Sequence, residues 1–195
     1  TNASQTLQRQ ARADTNLTGL RRRMAGDKTR FIKILRSRGF YSGRVVDRIE
    51  TGETPARAIF MVEAGPVFLI EDYKLEQRPD AAGVVNFPDP GAIGIEIGMP
   101  ADAARLKAAE DVLLDRLRSS GHPDPRIADA RYIVDHGRTT VSAVVSVAPG
   151  PTATFGPLVI EGLRTISEHY VRVIADWTVG RPFDPDVLNG LRRRI

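Results

Sequence analysis

Cysteine is absent from the 195 residues, which excludes a disulfide scaffold, a thiolate zinc site and a cysteine nucleophile. Histidine is scarce: His122, His136 and His169 stand far apart in different local contexts, a poor starting point for metal chemistry. Aromatic residues make up only 6% of the chain. Phe31, Phe60 and Phe68 fall at predicted core positions, so no platform for stacking nucleic-acid bases is evident. No apolar run approaches the roughly 18–20 residues of a membrane-spanning helix; the most apolar stretch, 141–148, is interrupted by Ser142 and Ser146. The opening Thr1-Asn2-Ala3-Ser4-Gln5 has no basic start and no apolar h-region, unlike a signal peptide. Both ends read as cuts within a longer precursor.

What remains is ordinary for a soluble globular protein of one large or two small domains: 42% hydrophobic and 27% charged residues. The net charge of +4 favours weak attraction to anionic surfaces but is no nucleic-acid signature by itself.

The sequence repeats. Ala64-Gly65-Pro66 and Pro149-Gly150-Pro151 are 85 residues apart, and at that offset Ala58, Phe60 and Val62 fall on Ala143, Val145 and Val147. Tyr73, Leu75 and Glu76 likewise fall on Leu158, Ile160 and Glu161. Helical segments match at an offset of 82: Gly39 falls on Gly121, and Met24, Phe31 and Leu35 fall on Leu106, Leu113 and Leu117. The same offset carries Gly98, Pro100 and Asp102 onto Gly180, Pro182 and Asp184. An ordered set across three copies signals a repeat architecture.

The middle copy predicts a strand over 67–77, a Gly/Pro-rich stretch with room for a short helix around 91–95, and a helix capped by Asp102 that runs to about Ser119. Leu106, Ala109, Leu113 and Leu117 form its apolar stripe, and Gly121 supplies a left-handed stop. Strands follow over 127–135 and 138–148, the second alternating Val141, Ala143, Val145 and Val147 with Ser142, Val144 and Ser146. The unit is β-α-α-β-β. The first copy lacks its opening strand and predicts helices over 4–13 and 18–38, then strands over 44–50 and 55–64. The third predicts a strand over 155–163, a helix over 166–177 and an Asp184-Pro185 helix start. It ends before its last two strands, and a lone strand cannot pair internally.

Gly39-Phe40-Tyr41 opens a strand pair that Val62-Glu63-Ala64-Gly65-Pro66 closes; Gly121 and Val147-Ala148-Pro149-Gly150-Pro151 do the same one cycle later. Phe155-Gly156-Pro157-Leu158-Val159-Ile160-Glu161-Gly162 looks like a first strand, and Val179-Gly180-Arg181-Pro182-Phe183 like a turn into a second helix. This pattern resembles the POTRA domain over the whole chain, most closely the TamA-like branch of the BamA/TamA superfamily of outer-membrane assembly factors. BamA-like proteins and two-partner secretion transporters are the alternatives. The resemblance implies an α+β fold of tandem POTRA repeats, each a three-stranded mixed sheet covered by two helices on one face. The expected boundaries are 1–65 (first unit, lacking its first strand), 66–150 (complete) and 151–195 (truncated). It further implies a periplasmic location at the outer membrane of a Gram-negative bacterium and a C-terminal β-barrel outside this chain. The implied partners are unfolded outer-membrane or autotransporter proteins and an inner-membrane-anchored TamB-like protein.

The residues bear on three classes of function. For an enzyme, Ser119, His122 and Asp124 cluster at a helix end, but Gly121-His122-Pro123 reads as a turn rather than part of a triad. Glu110 and Asp111, as helical neighbours, point apart. No enzymatic role and no cofactor are expected. Arg21-Arg22-Arg23 and Arg192-Arg193-Arg194 are basic triplets on predicted helices, and a basic RNA- or lipid-headgroup-binding module is the alternative of another class; nucleic acid is not expected. The third class is a protein-binding scaffold. The strand order implied by the family, first-third-second, leaves the second strand at an edge, open to β-augmentation. In the middle copy that edge carries Ile127, Asp129, Arg131, Ile133 and Asp135, and in the first copy Val46, Arg48 and Glu50. The charged residues among them are equally suited to discouraging such pairing. Gly65-Pro66 and Gly150-Pro151 are the expected interdomain linkers, because proline fixes one backbone dihedral.

Overall fold

The computed structural model describes residues 17–51, 56–79, 84–163, 165–175 and 177–194. The helix expected over 4–13 and the start of the strand expected from Pro55 lie outside these residues.

The chain enters helix α1 (Leu17–Ser37). Met24 is fully buried, and Phe31 meets Phe60 edge-to-face at 5.1 Å. Gly39, at φ +85°, ends the helix. Its N–H donates to the Arg36 carbonyl at 3.0 Å and that of Phe40 donates to Leu35 at 2.9 Å, the bond pair of a Schellman stop. Strands β1 (Arg44–Glu50) and β2 (Arg57–Glu63) follow as an antiparallel pair, with Arg44 opposite Glu63 and Glu50 opposite Arg57. Lys28 Nζ reaches Asp47 at 2.9 Å and ties α1 to β1.

The middle segment runs β3 (Leu69–Gln77), a 3-10 turn (Pro90–Ile93), α2 (Ala103–Ser119), β4 (Arg126–Asp135) and β5 (Thr140–Ala148). Its three strands lie in the order β3-β5-β4. The Leu69 N–H donates to Thr139 and the Arg78 N–H to Val147. This near-constant offset makes β3 parallel to β5, while a short hairpin joins β4 to β5, so the sheet is mixed. A parallel neighbour needs a crossover, and α2 lies on it. Burial follows the sequence pattern. Val141, Ala143, Val145 and Val147 are buried on the central strand, as are Leu106, Ala109, Leu113 and Leu117 on α2. Asp102 Oδ1 accepts the N–H groups of Ala104 (2.8 Å) and Arg105 (3.3 Å), the expected N-cap. Gly121 repeats the helix stop at φ +101°, with the His122 N–H bonded to Leu117 at 3.1 Å.

The short helix expected around 91–95 is a single 3-10 turn stopped by Gly94 at φ +86°; proline and glycine leave no apolar stripe to support more. Two expectations need correction. Strand β3 begins at Leu69 rather than Val67, because the Phe68 N–H is taken by the Gly39 carbonyl at 2.9 Å. The strand expected over 155–163 does not form. Among the described residues only an isolated bridge, Thr154 to Pro182, is present there, and none of their strands completes a ladder with it. Trp177 Nε1–H instead donates to the Gly156 carbonyl at 2.8 Å, with its ring 4.5 Å from Phe155. Helices α3 (Glu168–Ala175) and α4 (Pro185–Arg194) complete the segment. Asp184 Oδ1 accepts the Asp186 N–H at 2.9 Å at the start of α4.

The contacts divide into two compact units. One holds the described residues within 1–72, with Glu96–Leu106 and Tyr132–Ser142; the other holds Tyr73–Ile95, Lys107–Arg131 and Ala143–Ile195. Within the first, Phe68 N–H donates to Gly39, Ala101 to Phe68, Ile70 to Met99 and Gly98 to Ile70, all at 2.7–2.9 Å. Within the second, Ala153 donates to Gly121, Phe183 to Ala153, Phe155 to Arg181 and Gly180 to Phe155, at 2.8–2.9 Å. Each residue of the second set lies 82 or 85 positions after its counterpart, so both sequence offsets recur in the backbone hydrogen bonds.

Candidate protein-binding edges and repeat junctions

Strand β4 is an outer strand of the three-stranded sheet, and in the two-stranded sheet β1 also has an outward edge. Burial along β4 is partial and irregular. Ile127, Ala130 and Val134 are half-buried, while Asp129, Arg131 and Asp135 are exposed and Ile133 is 64% exposed. Arg131 and Asp129 pair at 3.6 Å, two residues apart and hence on one face of the strand. On β1, Arg48 and Glu50 do the same at 2.8 Å, and Val46 is exposed. Such pairs stand off the sheet face, whereas an added strand would bond in the sheet plane, so these charges leave the backbone edge open. Asp135 acts locally instead. Its Oδ1 accepts the N–H groups of Gly137 (2.8 Å) and Arg138 (3.0 Å) and shapes the β4–β5 turn.

An edge that sequence reasoning missed is β2. In the three-stranded sheet the corresponding strand, β5, is central; in the first repeat nothing among the described residues lies beyond β2, and Met61 and Val62 are about half exposed.

The expected linker residues sit at equivalent turns. Gly65 and Gly150 have φ of +72° and +74°, and a Cβ at either would meet Ser42 or Asp124, themselves 82 residues apart. Pro66 and Pro151 are exposed. Each junction also holds a histidine. His136 Nδ1 lies 3.2 Å from Ser42 Oγ, with its ring 5.4 Å from Phe68. His122 Nδ1–H donates to the Gly150 carbonyl at 3.1 Å. With Nδ1 so engaged, and Asp124 paired with Arg126 at 3.2 Å, Ser119, His122 and Asp124 are not assembled as a triad.

Two tyrosines feel their surroundings. Burial, and secondarily the charge of Asp102, raises the Tyr41 phenol, whose hydroxyl donates to the Ala101 carbonyl at 3.2 Å. Burial, with a smaller contribution from Glu110, pushes Tyr73 up to about 12; its hydroxyl is buried without a hydrogen-bond partner among the described residues. Among the described residues no three His, Asp or Glu side chains gather to hold a metal ion, and no helix is long and apolar enough to cross a membrane.

No protein-family model and no curated protein sequence matches the chain. Solved structures do. POTRA domains 3–5 of BamA from Haemophilus influenzae align over 88% of this chain and 68% of their own, with a TM-score of 0.51 at 10% identity. POTRA domains 1–3 of the periplasmic domain of Omp85 from Anabaena align over 89% of this chain and 69% of their own, with a TM-score of 0.43 at 16% identity. The chain has the POTRA fold.

Proposed function

We propose that this chain is the periplasmic POTRA segment of a TamA-like outer-membrane assembly factor, a non-catalytic scaffold that receives extended segments of unfolded outer-membrane or autotransporter proteins. An inner-membrane-anchored TamB-like protein is a further partner in this reading. The units occupy 1–65, 66–150 and 151–195, and Gly65-Pro66 and Gly150-Pro151 limit hinge motion between them. The fold shared with the BamA POTRA domains supports the class. The observation that carries the mechanism is the outer position of β4, which leaves a row of backbone donors and acceptors for an added strand. Main-chain bonds give such pairing affinity with little demand on sequence, as a reader of many clients requires.

The test uses a fluorescent peptide taken from an outer-membrane β-strand and the same peptide N-methylated at every second amide. Strand addition predicts that methylation on the pairing edge weakens binding at least tenfold, because it removes donors from the ladder. Equal affinity of both peptides contradicts the mechanism.

A further inference from the structure

Charge on this chain is unevenly placed. Helix α1 holds seven of the 28 Lys and Arg residues and one of the 24 Asp and Glu, a surplus of six. The rest of the chain has 21 cationic and 23 acidic residues, so the whole net positive charge resides on one helix. Some of these cations are spoken for: Lys28 pairs with Asp47 and Arg30 with Asp27. Arg22, Lys33 and Arg36 are exposed and have no acidic partner among the described residues. Their spacings of eleven and three place them on one side of the helix. Between them that side shows Ala25, Gly26 and Thr29, also exposed, and the space over Gly26 is open. The stripe spans about 21 Å.

We propose that this face of α1 rests on the surface of an anionic phospholipid bilayer. The chemistry of the stripe selects that occupant. It has no aromatic side chain on which a base could stack and no large apolar anchor of the kind that dominates protein interfaces. The apolar side of the helix is committed to the sheet through Met24 and Phe31, so the helix cannot embed as an interfacial amphipathic helix does. A flat row of unpaired cations fits a plane of phosphate headgroups by charge alone. The attachment is electrostatic, peripheral and salt-labile. It goes beyond the scaffold role and stands without it.

Flotation with phosphatidylcholine vesicles, with and without phosphatidylglycerol, tests it at about 50 mM and about 500 mM salt. Binding is expected only to the anionic vesicles and only at low salt. Each cation near such a surface contributes about fivefold in partitioning. The variant R22Q/K33Q/R36Q therefore loses on the order of 100-fold, while R22K/R36K keeps its binding. The control R105Q/R192Q/R193Q, with the same change in net charge at exposed positions elsewhere, retains most of it. Far-UV circular dichroism establishes that the variants stay folded. Absence of vesicle binding at low salt, or equal losses in the α1 variant and the control, overturns the proposal. So does displacement from the vesicles by a single-stranded homopolymeric RNA at a concentration below that of accessible anionic lipid. None of these results bears on the peptide experiment, so the two readings fail separately.

Discussion

Three alanine substitutions at glycine separate the helix stops from the helix body. Gly39 and Gly121 both hold positive φ, +85° and +101°. A Cβ in the left-handed region costs about 1–2 kcal/mol, and the stiffer unfolded chain returns about 0.4–1 kcal/mol. At Gly39 the added methyl meets Ala101 and Val67 no closer than 3.5 Å, ordinary contact, so the backbone penalty decides and G39A destabilises by about 1 kcal/mol. At Gly121 the methyl lies 3.4 Å from Pro182 Cβ, at the edge of comfortable packing, so G121A destabilises by about 1–2 kcal/mol. Gly26 is the counter-case. It lies inside α1 with nothing within 4 Å of the added carbon, and G26A stabilises by about 0.5–1 kcal/mol. Urea unfolding followed by far-UV circular dichroism reads all three. A neutral or stabilising G39A or G121A would refute the left-handed stops, and with them the equivalence of the two junctions.

Tyr73 predicts two outcomes. Its hydroxyl is buried without a partner among the described residues, so Y73F stabilises by about 1 kcal/mol; destabilisation of that size would reveal a hydrogen bond. Because folding raises this phenol from 10.0 to about 12, its contribution is intact below pH 10 and is lost as pH climbs toward 12. Alkaline unfolding of Y73F should therefore be shallower than that of the wild type over that window. Phe68 is fully buried, edge-on to Tyr41 at 5.4 Å and to His136 at 5.4 Å; F68A costs about 3–5 kcal/mol, and a loss under about 1 kcal/mol in thermal melts would contradict that packing. Asp102 caps α2, and D102A costs about 1 kcal/mol by the same measurement.

The repeat was the most legible feature. Local chemistry marks it twice over: glycine where φ must be positive, and Asp102 and Asp184 where helix N–H groups need acceptors. The alternation of β5 was equally plain, because a central strand buries one face completely. Strand β4 was legible as a strand, but which of its side chains face inward was not. With one side open, burial there is partial: Ile127 is half-buried while Ile133, six residues on and of the same parity, stands exposed. The strand expected over 155–163 failed for a reason no local pattern contains: a strand is defined by its neighbour, and the bridge at Thr154 is all the pairing that the described residues supply there. The open edge of β2 and the cationic stripe of α1 required knowing which residues share a surface, and spacing gives only the second of these.

Amide hydrogen exchange with and without an unfolded outer-membrane β-barrel peptide tests the central claim most directly. Strand addition predicts new protection along β4 (Arg126–Asp135) or β1 (Arg44–Glu50), in the alternating pattern of a newly paired strand. Unchanged exchange along both strands with the peptide in large excess would contradict it.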